Sequence, residues 1–178
     1  MRIISGLYKG RKLNIPKNLP VRPTTDMAKE SLFNILNNNY YFDDITVLDL
    51  FAGTGSISFE FASRGTEKIT SVDQHFACIN YINKTAENFD MPISTIKSDV
   101  FKFLQSTNLK FDIVFADPPY SFSLEQFSKI SEMVFEQELL EENGTLIIEH
   151  SKHTDLSEAK NYGYSKSYGG CVFSFFEK

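Results

Sequence analysis

From residue 45 to residue 149, short apolar runs alternate with helix-length segments, and nearly every run ends beside a glycine or an aspartate. Few folds accept that pattern. A run that is apolar throughout must be covered on both faces, and strands separated by helices pair in parallel. The runs fall at 45–50, 68–73, 93–97, 111–116 and 145–149. The helices between them fall at about 56–64, along the stripe Ile79, Ile82, Ala86 and Phe89, at 100–105, and within 124–140. The last two runs, 162–168 and 171–177, have no helix between them, and Gly169-Gly170 marks a hairpin turn. The expectation is an α/β fold: a doubly wound, mostly parallel, seven-stranded sheet with one antiparallel strand in a C-terminal hairpin.

With 178 residues there is room for one ordinary domain, and 42% hydrophobic and 14% aromatic residues suffice for a sizeable core. No apolar run approaches the ~18 residues of a membrane span. The N-terminal stretch Met1 to Gly6 breaks too early to act as a secretory signal. Cys78 and Cys171 lie far apart without a CxxC pattern and read as reduced cytosolic thiols, so a cytoplasmic location is expected. The three histidines show no ligand spacing, and no metal is expected.

Charge is uneven. Residues 1–25 carry Arg2, Lys9, Arg11, Lys12, Lys17 and Arg22 and no acid, leaving −11 on the remainder of a chain whose net charge is −5. Gly6, Gly10, Pro16, Pro20 and Pro23 break this segment into short pieces, so 1–23 reads as a small basic β-hairpin arm ahead of a domain at 24–178. A basic arm on an acidic body suits local attraction to phosphate. Thr24 or Thr25 can cap the helix that carries Ala28, Leu32, Ile35 and Leu36.

In a doubly wound sheet, ligands sit beyond the carboxyl ends of the strands, so the chemistry belongs at the run ends. After the first comes Asp49-Leu50-Phe51-Ala52-Gly53-Thr54-Gly55-Ser56. Gly53 and Gly55 permit a tight turn and close approach of a ligand. Ser58 stands where a dinucleotide loop has its third glycine, and an acid beside the loop suits an ammonium group better than a pyrophosphate. After the second comes Asp73, 24 residues past Asp49, placed either to accept from ribose hydroxyls or to cap the next helix. After the third, Asp99 is placed to accept from an adenine amine, to cap the helix starting at Val100, or both. After the fourth comes Asp117-Pro118-Pro119-Tyr120. Two prolines fix this turn and remove two N–H groups. Its carbonyls and the Asp117 carboxylate can grip an –NH2 group, while Tyr120 offers a face for a planar base. Phe51 and Phe122 read as exposed candidates for lining the same pocket, and Phe33, Phe59 and Phe115 as core.

These residues resemble a known family. The order D-x-F-x-G-x-G, acid, Asp99 and DPPY is similar to class I S-adenosylmethionine-dependent methyltransferases acting on amino nitrogens of bases. More narrowly, the segments 2–13, 22–26, 30–36 and 49–55 resemble RsmD-type 16S rRNA guanine-N2 methyltransferases, nearly end to end. The resemblance implies a Rossmann-like fold, S-adenosylmethionine as methyl donor with S-adenosylhomocysteine as product, and no metal. It implies a monomer that acts on 16S rRNA, either free or within an assembling small subunit. It assigns the cofactor to Asp49, Phe51, Ala52, Gly53, Gly55, Asp73, Asp99 and Val100, catalysis to Asp117, Pro118, Pro119 and Tyr120, and RNA contact to Arg2, Lys9, Arg11, Lys12 and Arg22. Met27 and Lys29 stand where the family usually has arginines, which puts part of the phosphate contact in question. Two alternatives stay open: an adenine-N6 or cytosine-N4 amino-methyltransferase on DNA or another RNA, and a non-catalytic module that keeps the cofactor pocket. A nicotinamide oxidoreductase is disfavoured by Asp49 and the missing third glycine.

Overall fold

A computed structural model describes residues 1–17, 19 and 24–178; Arg22, assigned above to RNA, lies outside the described residues. The elements run α1 (Asp26–Leu36), β1 (Thr46–Leu50), α2 (Ser56–Ser63), β2 (Lys68–Asp73), α3 (Phe76–Phe89), β3 (Ile93–Lys97), α4 (Val100–Ser106), β4 (Phe111–Ala116), α5 (Leu124–Glu136), β5 (Leu140–Ser151), β6 (Tyr162–Tyr168) and β7 (Cys171–Phe176). They form one seven-stranded sheet in the order β3-β2-β1-β4-β5-β7-β6. All neighbours from β3 to β5 pair in parallel, and β7 runs antiparallel to both β5 and β6. This is the doubly wound sheet the alternation predicts, and the order reverses between β1 and β4.

Side chains alternate across the two faces with the period of two that a strand imposes. Val47, Ile113, Phe115, Ile147, Phe173 and Phe175 pack with Leu32, Ile57 and Ile82 of α1, α2 and α3. Leu48, Leu50, Val114, Ala116, Leu146 and Ile148 pack with Leu104 and Phe127 of α4 and α5 on the other face. Phe33, Phe59 and Phe115 are core, each at most 1% exposed. No helix among the described residues is long and apolar enough to cross a membrane.

β5 is longer than its apolar run. It begins pairing at Leu140 with Phe111, passes an irregularity in register, and carries the exposed Glu141, Glu142 and Asn143 before its buried half. Backbone pairing, blind to side-chain polarity, extends the strand into residues that read as loop.

The N-terminal segment is tied down more tightly than its glycines and prolines suggest. Arg2 and Lys12 form an antiparallel bridge, and Ile3 and Leu13 enter the core. Gly6 (φ +83°) rests on the end of α2, where an added Cβ would lie 1.8 Å from the Ser63 carbonyl oxygen. Lys29, which stands where the family usually has an arginine, is 1% exposed. Its Nζ donates to the Arg2 carbonyl at 2.7 Å and to Ser56 Oγ at 3.2 Å, and stands 3.6 Å from the buried Glu60 carboxylate. Lys29 therefore fastens the arm to the body and cannot reach an RNA.

Candidate functional site

Every strand-end residue singled out in the sequence lies at the same edge of the sheet. Asp49, Phe51, Ala52, Gly53, Asp73, Asp99, Val100, Asp117, Pro118, Pro119 and Tyr120 line one cleft of about 780 Å³, within the usual size of a small-molecule site, roughly 300–1,000 Å³. Gly55 sits just behind its wall as the N-cap of α2, with φ +73°.

The loop after β1 is held by acids from two strands. Asp73 Oδ2 accepts from Gly53 N–H at 2.9 Å and its Oδ1 from His75 N–H at 2.8 Å, so Asp73 braces the glycine turn and the entry to α3 together. Its Oδ1 also lies 3.1 Å from His75 Nδ1. Ligand atoms of Asp73, His75 and Cys78 fall within 4.8 Å of one another, and burial pushes the Cys78 thiol up to about 11. Asp49 is 2% exposed. Its Oδ2 accepts from the N–H and the Oγ–H of Ser58, and Ser58 Oγ shares a further bond with Ser71 at 2.7 Å. Ser58 thus tethers and orients Asp49, and Asp49 in turn satisfies the Ser58 N–H in the first turn of α2. Asp99 caps α4, accepting from Lys102 N–H at 3.0 Å, and still lines the cleft.

Gly55 is where the turn most needs glycine. An added Cβ would meet Ile82 Cγ1 at 2.8 Å and the Phe59 ring at 3.0 Å, in a left-handed backbone. Gly55→Ala is expected to destabilise the chain by roughly 1–3 kcal/mol, read as a lowered urea midpoint. An unchanged midpoint would show that the loop relaxes without strain.

The opposite wall is the Asp117-Pro118-Pro119-Tyr120 turn. The Pro119 carbonyl is engaged by Phe122 N–H at 2.9 Å, which leaves an amine clamp to Asp117 and the Pro118 carbonyl. Tyr120 is 54% exposed on the rim. Phe51 and Phe122 are half-buried rather than exposed: their rings meet edge to face at 5.6 Å, and Phe122 stacks near-parallel on Phe101 at 6.1 Å.

Glu149 was not among the candidates, yet it lines the cleft at 4% exposure. β4 and β5 pair Ala116 with Ile148, so Asp117, the first residue past β4, follows in register beside Glu149, which is still within β5 and pairs with Phe173 of β7. Thr24 Oγ1 donates to Glu149 Oε2 at 3.2 Å. Burial pushes Glu149 up to about 7. Asp117 is raised well above the carboxylate range by burial, then by the charges of Glu149 and Asp49. Asp49 is itself pushed up to about 7 by burial. The signal in the chain was the same as at the other tips: an apolar run ending in an acid.

Of the basic residues assigned to RNA, Lys9, Arg11 and Lys12 are exposed on the arm, with the Arg11 guanidinium 5.8 Å from the centre of the Phe89 ring. Arg2 is exposed and pairs with Asp26 at 3.2 Å. Met1 Sδ accepts from the Thr54 hydroxyl at 3.5 Å, so the start of the arm adjoins the cleft wall.

The model of the family described as Conserved hypothetical protein 95 matches residues 1–177. The chain belongs to that family. The resemblance to the RsmD type holds over nearly the whole chain: a Haemophilus influenzae protein named Ribosomal RNA small subunit methyltransferase D is 32% identical over 167 residues, covering 91% of this chain and 84% of that protein. Two solved structures share the fold of this Conserved hypothetical protein 95 member. A hypothetical protein of Thermus thermophilus, TTHA0928, has a TM-score of 0.86 at 24% identity, covering 100% of this chain and 99% of its own. The T. thermophilus 16S rRNA N2 G1207 methyltransferase RsmC, in complex with AdoMet and guanosine, has a TM-score of 0.69 at 20% identity, covering 87% of this chain and 44% of its own.

Proposed function

We propose that this chain transfers a methyl group from S-adenosylmethionine to the exocyclic N2 of a guanine in 16S rRNA of the small ribosomal subunit, acting in the cytoplasm as a monomer. The observation that carries this reading is the shared cleft: the acid-and-glycine wall of β1 and β2 faces the Asp117-Pro118-Pro119-Tyr120 turn across one space. The relative from Haemophilus influenzae supplies the RNA.

The chemistry of the cleft fits the donor. Asp49, Asp117 and Glu149 are acids raised by burial, and no ion pair among the described residues engages any of the three. A cationic ligand beside Asp49 relieves that cost there. S-adenosylmethionine, when bound, supplies a sulfonium-activated methyl group and carries an ammonium. In this reading Asp49 with Phe51, Ala52, Gly53 and Gly55 receives the amino-acid end, Asp73 the ribose, and Asp99 with Val100 the adenine. Asp117 and the Pro118 carbonyl accept the two hydrogens of the target amine and aim its lone pair at the methyl. As positive charge develops on nitrogen, these acceptors hold it more strongly than they hold the neutral amine. Pro119 keeps the turn rigid, and Tyr120 stacks on a base that has left its own stack. Lys9, Arg11 and Lys12, with Arg2 and Arg22, contact phosphate, so RNA affinity falls with added salt.

Two measurements test the reading. Mass spectrometry of rRNA nucleosides from cells with and without the protein should differ in N2-methylguanosine; a difference in N6-methyladenosine or N4-methylcytidine instead would exclude it. Assays with labelled donor on naked rRNA, assembling subunits and DNA then define the substrate.

The acids also set a pH dependence. Asp49 must ionise to attract a cation, and burial pushes it up to about 7 in the free protein. Donor affinity should therefore rise as pH increases from 6 to 8, with protons released on binding, read by calorimetry in buffers of different ionisation enthalpy. For the free protein the sign is opposite. Acids raised above their unfolded values stabilise the fold at low pH, and that contribution is lost as pH climbs from about 4 through 7. A donor affinity that is flat in pH would show that Asp49 does not meet the cation.

A further inference from the structure

The pairing of Glu149 with Asp117 bears on which base the cleft accepts, a question that rests on the amine-methyltransferase reading above. The exocyclic amine of guanine stands between a ring N1–H and the lone pair of N3, so on its N1 side it offers two neighbouring donors. In adenine and cytosine the ring nitrogen beside the amine, N1 and N3 respectively, bears a lone pair. We propose that Glu149 is the residue that selects guanine, its carboxylate accepting the ring N1–H while Asp117 and the Pro118 carbonyl hold the neighbouring amine.

Three observations converge on this assignment. The in-register pairing of Ala116 with Ile148 sets Asp117, just past β4, beside Glu149 of β5, and both line the same cleft, which matches two neighbouring donors on one side of a base. Glu149 is also rigid. It lies on a strand paired on both sides, opposite Phe173 of β7, with one oxygen held by Thr24 and the Cys171 thiol beside it. Lastly, Glu149 has no ion pair among the described residues, and a buried acid so placed next to a second acid is costly unless a ligand donates to it. The same acid set against the lone pair of adenine N1 or cytosine N3 would add repulsion, so discrimination comes from an unfavourable contact as well as a favourable one.

The wild-type protein gives one direct test, because 1-methylguanosine lacks the N1–H. Guanosine and 1-methylguanosine are compared as inhibitors of labelled methyl transfer to rRNA at saturating donor. Guanosine should inhibit at least about tenfold more strongly, as expected for a hydrogen bond to a charged group. Equal inhibition would overturn the assignment. The second test uses Glu149→Gln. It should keep donor affinity within about threefold and lose about tenfold or more in kcat/KM on rRNA. It should also lose the preference for guanosine over 1-methylguanosine. A variant that retains both its rate and that preference would equally overturn it. Should Glu149→Gln fail to bind donor, the comparison on the wild-type protein decides. Product analysis separates the two levels of the argument. A wild-type product other than N2-methylguanosine rejects the proposed function itself, whereas N2-methylguanosine formed with no sensitivity to the N1–H rejects only the role of Glu149.

Discussion

Asp117→Ala is expected to lower methyl transfer about a thousandfold, comparable to losing a preorganised charge-stabilising group at a transition state, while donor binding changes little. The reason is position. Asp49 and the loop at Gly53 form the other wall of the cleft, so removing Asp117 takes away the proposed amine clamp and leaves the proposed cofactor wall in place. Asp117→Asn is the informative partner. Its amide oxygen can still accept one amine hydrogen, so it should retain more activity than the alanine variant. If Asp117 instead served chiefly to take the proton, the asparagine variant would be as inactive as the alanine one. Single-turnover kinetics with calorimetric donor titrations separate these cases. Unimpaired turnover in the alanine variant removes Asp117 from the mechanism. The same substitution should raise the thermal midpoint of the free protein, because Asp117 is an acid raised by burial beside Glu149 and Asp49. Sites built for catalysis commonly lower stability in this way.

The largest effect on stability is expected away from the chemistry. Glu60 is 0% exposed. Its carboxylate accepts from Ile4 N–H at 2.9 Å, Ser5 N–H at 3.0 Å and Arg64 Nε at 3.0 Å, and faces Lys29 Nζ at 3.6 Å. Glu60→Ala leaves a buried ammonium and two backbone N–H groups without their acceptor. Breaking a buried pair from one side costs about 3–5 kcal/mol, or roughly 10 °C in a domain of this size. Burial already holds the Lys29 pKa below its ordinary value, so the orphaned ammonium would deprotonate more readily. Adding Lys29→Met should recover part of the loss, since the stranded charge goes with it. A single-variant cost below about 1 kcal/mol would show that water replaces the carboxylate and that the arm is not fastened through this pair.

The two substitutions probe different halves of one design. The arm crosses α2 through Glu60, Ser63 and Gly6, and α2 begins at the Gly55 N-cap behind the cleft wall. Lys29 reaches Ser56 Oγ at the start of that helix. An anchored arm therefore stiffens the loop that shapes the cofactor side of the cleft, so Glu60→Ala should also weaken donor binding.

Much of this was legible in one dimension. The alternation of apolar runs and helical stripes specified the doubly wound sheet, because each run is short, buried on both faces and ended by local turn chemistry. The acids and glycines at the run ends were visible for the same reason: a strand tip is a local feature, so Asp49, Gly53, Asp73, Asp99 and Asp117 could be placed along one edge from the topology alone. Other roles depended on contacts between distant segments. Lys29 stood out in the chain only as a lysine where the family usually has an arginine. That Lys29 is buried against Glu60, 31 positions away, follows only from how α1 and the arm pack on α2. Ser58 looked like a missing glycine until the fold turned it toward Asp49. Glu149 ended its run as the other acids did, but only the register of β4 against β5 put it beside Asp117. Local chemistry wrote the fold class and the candidate tips into the chain, whereas burial and pairing between segments far apart in sequence decided which charges face the cleft and which hold the molecule together.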